Sequence, residues 1–79
     1  MSHHVPHELT EEFPAQAQAI QALRASSARF ARVADHYAEI NRAIVRMESN
    51  EEPADDFTIE NLKKERLKLM DEIAVFLHQ

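Results

Sequence analysis

Two stretches of the chain place large apolar side chains at alternating intervals of three and four residues. The first stretch lies within residues 28–49 and the second within residues 59–78. This heptad spacing keeps one apolar seam on a single side of a helix, where it faces a partner helix. The predicted seam consists of Phe30, Val33, Tyr37, Ile40, Ile44 and Met47 in the first stretch and of Ile59, Leu62, Leu69, Ile73 and Phe76 in the second, with Arg66 as its one polar member.

A short polar loop joins the two stretches. Residues 50–57 read NEEPADDF, which combines a proline with four acids. Asp55, Asp56 or Thr58 can cap the helix that follows. Because so short a connection makes the two helices antiparallel neighbours, facing residues have numbers that add to a constant. The seam positions satisfy this rule, with Phe30 opposite Phe76 at the end away from the loop.

Pro14 suits the first turn of a helix over residues 14–25, where its missing N–H has no cost. Ser26 and Ser27 are plausible N-caps, so a break is expected there, although a continuous helix is the alternative. Residues 1–13 are interpreted as a largely disordered tip. The sequence thus predicts an all-α fold over residues 14–79: an antiparallel helical hairpin with a coiled-coil seam, preceded by a short N-terminal helix, with helices at about 14–25, 27–49 and 58–78.

The apolar surface is wider than two helices need. A second stripe on the last helix contains Leu67, Met70, Ala74 and Leu77. Either residues 14–25 fold back over the hairpin, or a second chain covers the stripe. We favour the second option, a homodimer, because exposed apolar patches usually mark interfaces. The candidate interface residues are Phe13, Ile20, Leu23, Leu67, Met70 and Leu77.

Composition excludes several other classes of protein. The 79 residues contain no glycine, which argues against β-hairpins, and no cysteine, which excludes disulfides and thiolate zinc sites. No apolar run approaches the length of about 20 residues that crosses a membrane. No secretory signal is visible, so a cytoplasmic location is expected.

Few side chains are arranged for catalysis or metal binding. His3, His4 and His7 carry imidazole nitrogens but lack the fixed geometry of a metal site. His36 and Tyr37 resemble an acid–base pair, yet no nucleophile accompanies them. The acidic loop lacks the central glycine of a calcium loop. We therefore expect no enzyme activity, no metal and no cofactor.

Lysine and arginine residues gather in the loop half of the hairpin. Clustered cations are what phosphate contacts need. Glutamates are interleaved with them and the net charge is −5, so nucleic acid is an unfavoured partner. The candidate basic patch contains Arg42, Arg46, Lys63, Lys64, Arg66 and Lys68.

Three segments resemble the YdcH-like family of small bacterial proteins. They are HELTEEFP from His7, HYAEINRAIVRMES from His36 and NLKKERLKLMDEI from Asn61. The resemblance extends from His7 to Leu77, and Met70 departs from the lysine that is usual there. It implies a helical, coiled-coil-like hairpin of unknown function and carries over no catalytic residue.

The sequence thus predicts a small helical protein-interaction module. We expect it to self-associate through its apolar face and to be able to dock an unidentified protein partner. A nucleic-acid-associated protein that uses the basic patch is the alternative. No membrane association is expected.

Overall fold

A computed structural model describes residues 7–78, and all of its regular structure is helical. The elements are α1 (Leu9–Glu12), a 3₁₀ turn (Pro14–Gln16), α2 (Ala17–Ser26), α3 (Ala28–Glu48) and α4 (Asp56–Leu77). No strand occurs among the described residues, so the predicted all-α class is confirmed. Within residues 7–78, no helix is long and apolar enough to cross a membrane.

The two long helices form an antiparallel hairpin. Phe30, near the start of α3, meets Phe76, near the end of α4, with ring centroids 5.3 Å apart in an edge-to-face arrangement. At the other end, Lys63 Nζ lies 2.8 Å from Glu48 Oε2. The Phe30–Phe76 contact is the one that the constant sum of residue numbers predicts.

Local backbone chemistry sets the ends of both long helices. At the end of α3, Asn50 has a φ of 65°. The N–H groups of Asn50 and Glu51 donate to the carbonyl oxygens of Met47 and Arg46. This is the Schellman arrangement, with asparagine in the left-handed position that glycine usually occupies. Asp55 then caps α4, because its Oδ1 accepts from the N–H of Thr58 at 2.7 Å.

A single serine separates α2 from α3. Ser27 has an extended backbone, and its Oγ accepts a hydrogen bond from the N–H of Phe30 at 3.1 Å. Ser26 instead ends α2, and its hydroxyl donates to the carbonyl oxygen of Ala22. The break predicted at these serines is present, and Ser27 is the residue that caps α3.

The helix α2 folds back over the hairpin, which is the option that the sequence interpretation did not favour. Ile20 is only 3% exposed and belongs to the main hydrophobic core. Phe13 and Leu23 pack against the same core. Ile20 is therefore a core residue of the monomer, and Phe13 and Leu23 are half-buried beside it. A nearby segment of the same chain reaches the hairpin without the entropic cost of bringing two molecules together. The assignment of these residues to an interface between two chains stays a prediction.

Part of the expected N-terminal tip is structured. Leu9 lies in α1 and is buried in the core. The Tyr37 hydroxyl donates a hydrogen bond of 2.5 Å to the carbonyl oxygen of His7. The interpretation of residues 7–13 as disordered thus needs correction, because one apolar and one polar contact hold them on α3. Residues 1–6, including His3 and His4, lie outside the described part of the chain.

Candidate functional site

The interior of the hairpin contains one hydrogen-bonded polar pair. Asn41 on α3 is only 2% exposed. Arg66 on α4 donates from Nη1 to Asn41 Oδ1 at 2.8 Å. The constant sum of residue numbers puts Arg66 opposite Ile40. The structure turns it inward to Asn41, because a buried amide oxygen needs a donor.

Tyr37 joins the hairpin to the N-terminal segment. Its ring is buried beneath α1, and burial, followed by the negative charge of Glu12, raises its pKa to about 12. Since the hydroxyl donates to the His7 carbonyl, the phenol is held as a neutral donor. His36, the residue next to it, does not join this bond; its Nε2 lies 3.3 Å from Glu65 Oε1 on α4. The structure therefore does not assemble His36 and Tyr37 into an acid–base pair.

Two sides of α3 are covered to different extents. Ala34, Tyr37, Ala38 and Asn41 line a small cavity of about 120 Å³ together with residues of α1 and α2. A helix turns by about 100° per residue, so Val33 and Ile40, the residues just before Ala34 and Asn41, lie on the other flank of α3. On that flank five seam residues are only half-buried. We call them the free face: Val33, Ile40 and Met47 on α3, with Leu62 and Phe76 on α4.

A groove opens in the free face at the end away from the loop. It has a volume of about 260 Å³ and is lined by Arg29, Val33, Glu72, Val75 and Phe76. The Arg29 guanidinium carbon lies 5.9 Å from the centroid of the Phe76 ring. Val75 is 60% exposed at the rim of the groove.

Charged residues line both edges of the free face. Arg29 lies on the α3 edge and Glu72 on the α4 edge of the groove, whereas His36 and Glu65, further along, already contact each other within one copy. Because Phe30 is level with Phe76, the antiparallel register puts Glu72 level with Ala34. Glu72 therefore lies between the levels of Arg29 and His36.

The remaining candidate interface residues separate into two environments. Met70 and Leu77 are half-buried against the core of the monomer, as are Val33, Ile40 and Phe76 of the free face. Leu67 is 59% exposed on the outer side of α4, away from the groove. The candidate interface residues thus differ in exposure, from the buried Ile20 to the exposed Leu67.

Two members of the basic patch form ion pairs with glutamates. Lys63 binds Glu48, and this hydrogen bond lowers the pKa of the Glu48 carboxyl. Arg46 Nε lies 3.7 Å from Glu52 Oε1. Arg66 is turned inward to Asn41. The other members of the patch are exposed on the surface: Arg42, Lys64 and Lys68.

The acidic and histidine residues serve local roles. The pKa of Asp55 is lowered by the hydrogen bonds it accepts from Thr58. His7 Nδ1 lies 2.6 Å from Glu12 Oε1. Within residues 7–78, no group of three or more histidine or acidic side chains is placed to hold a metal ion.

A protein-family model described as a protein of unknown function, DUF465, matches residues 30–77. The chain belongs to this family. YdcH-like proteins are members of it, so the resemblance seen in the sequence is confirmed. No curated protein and no solved structure matches the chain significantly.

The DUF465 match coincides with the α3–α4 hairpin. It begins at Phe30 and ends at Leu77, so it includes the free face and the Asn41–Arg66 pair and leaves out α1 and α2. Sequence reasoning missed Asn41, Glu72 and Val75 as residues of interest. The sequence could have identified Asn41 by its position, because it follows a seam residue by one and lies level with the polar Arg66.

Proposed function

We propose that this DUF465 protein is a small helical protein-interaction module that self-associates through the free face. One observation carries the proposal: the seam residues of the free face are only half-buried, whereas those on the covered flank of α3 are buried. Apolar surface removed from water contributes about 25 cal/mol per Å², so an uncovered row of large side chains favours association once docking costs are met.

The shape of the surface supports this function. Val33, Ile40 and Met47 are spaced by seven residues along α3. Such a row presents one continuous stripe, which is how helices of bundles and coiled coils contact each other. The groove beside Val33, of about 260 Å³, offers space for a side chain of a partner helix. No arrangement of the described residues offers a comparable case for catalysis.

Sedimentation equilibrium of the wild type and of two matched variants tests the proposal. Val33→Lys places an ammonium on the free face, where its removal from water is costly even beside Glu72. Leu67→Lys makes the same change on the outer side of α4. We expect a wild-type dimer at tens of micromolar, corresponding to about 6 kcal/mol of association free energy. We expect Val33→Lys to be monomeric and Leu67→Lys to remain dimeric.

Three results would count against the proposal. A monomeric wild type at that concentration would remove self-association. Loss of the dimer in Leu67→Lys but not in Val33→Lys would place the contact on the outer side of α4, as the sequence first indicated. Salt-dependent retention of the monomer on nucleic acid would favour the alternative function. Circular dichroism of each variant, with helicity equal to that of the wild type, controls for unfolding.

A further inference from the structure

The charges beside the free face define how two copies pack. We propose that two hairpins form a four-helix bundle in which α3 of each copy lies against α4 of the other, with both loops at the same end. This inference rests on the proposed self-association and adds its geometry. The partner is a second copy of this chain because the charge pattern of the surface is complementary to itself.

Two face-to-face arrangements with two-fold symmetry are available to a hairpin. If the symmetry axis runs along the helices, α3 lies over α4 of the partner and the loops are at the same end. If the axis runs across the helices, α3 lies over α3 of the partner and the loops are at opposite ends. The two arrangements bury the same apolar residues, so charge decides between them.

Only the first arrangement brings unlike charges together. It places Arg29 of each copy against Glu72 of the other. Glu72 of one copy then lies near the level of Ala34 of the other, within reach of the long Arg29 side chain. The second arrangement sets the edge of Arg29 against the same edge of the partner and the edge of Glu72 against the partner's edge of Glu72, and like charges in contact disfavour a packing.

Charge reversal of Arg29 and Glu72 tests the arrangement. In Arg29→Glu the new carboxylate meets Glu72 of the partner, and in Glu72→Arg the new guanidinium meets Arg29 of the partner. Each variant alone should dimerise at least about tenfold more weakly than the wild type, given the size of charge-pair coupling at interfaces. An equimolar mixture of the two should regain the wild-type dissociation constant as a heterodimer, because both cross-copy pairs are then of unlike charge.

Two controls accompany the mixture experiment. The chain with both reversals, Arg29→Glu with Glu72→Arg, should dimerise with itself as the wild type does. Lys64→Glu and Asp71→Lys reverse exposed charges on the outer side of α4 and should leave the dissociation constant unchanged, alone or mixed.

The outcomes separate this inference from the proposed function. A dimeric wild type whose single reversals are not rescued by mixing would overturn the arrangement and leave self-association standing. The same holds if the single reversals lower the melting temperature of the monomer without weakening the dimer, because the pair would then act within one copy. A monomeric wild type would overturn both proposals.

Discussion

The hydrogen bond between Arg66 and Asn41 offers the sharpest test of the hairpin interior. Replacing Arg66 by methionine keeps a long, flexible side chain but removes the donor that lies 2.8 Å from Asn41 Oδ1. The amide is only 2% exposed, so water does not readily replace the lost donor. A hydrogen bond to a charged group contributes about 1.5–3 kcal/mol. We therefore expect Arg66→Met to lower the free energy of unfolding by about 2 kcal/mol.

A double-mutant cycle isolates this contribution from other effects of each substitution. Asn41→Leu alone should also destabilise, since it leaves a half-buried guanidinium without its acceptor. The double variant, Asn41→Leu with Arg66→Met, replaces both polar groups by apolar ones. It should be more stable than the sum of the single changes predicts, with a coupling energy of about 1.5–3 kcal/mol.

Urea or thermal denaturation followed by circular dichroism measures the four proteins. The protein concentration must be the same for all, because association makes the melting temperature depend on concentration. For a domain of this size, 2 kcal/mol corresponds to roughly 8–16 °C in melting temperature. Single changes that add to within about 0.5 kcal/mol would refute the interaction between the two side chains.

Two further predictions concern the core and Tyr37. Ile44 is fully buried, so Ile44→Ala should lower the free energy of unfolding by about 2–5 kcal/mol. Glu51→Ala in the exposed loop should change it little. Equal shifts in melting temperature for the two variants would contradict the hairpin core. The pKa of Tyr37 is raised from 10.0 to about 12, so its contribution to stability is fully present below pH 10 and does not change with pH there. Between pH 10 and about 12 the unfolded chain loses its phenol proton first, so stability falls. Tyr37 is the only tyrosine and there is no tryptophan, so ultraviolet absorbance of tyrosinate reports this residue, and a midpoint near 10 in the folded protein would refute its burial.

The heptad pattern predicted the hairpin because two long helices with a short loop have few ways to pack. Phe30, Tyr37 and Ile44 are seven residues apart and are buried as the pattern predicts. Between them, however, the buried positions are Ala34 and Asn41, each one residue after the predicted seam position. Neither a small side chain nor a polar one contributes to an apolar pattern, so the sequence alone did not identify them.

The position of α2 is the reason for this difference. Its large apolar residues are Ile20 and Leu23, too few to predict from spacing where the helix would dock. Once α2 lies on α3, it covers the flank of Ala34 and Asn41 and leaves Val33 and Ile40 half-buried. The apolar surface that the sequence assigns to an interface is thus partly covered by α2 of the same chain.

The polar pair inside the hairpin and the charges at its edge depend on each other. A seam of leucine, isoleucine and phenylalanine alone tolerates a shift of one helix by a heptad, because apolar contacts are not directional. Arg66 can reach Asn41 only in the observed register. A shift would therefore separate the buried Asn41 amide from the half-buried Arg66 guanidinium, which costs free energy. The same register fixes Glu72 between the levels of Arg29 and His36. A buried polar contact would in this way determine the pattern of charge that a second copy meets, and loosening the Asn41–Arg66 pair should weaken association as well as folding.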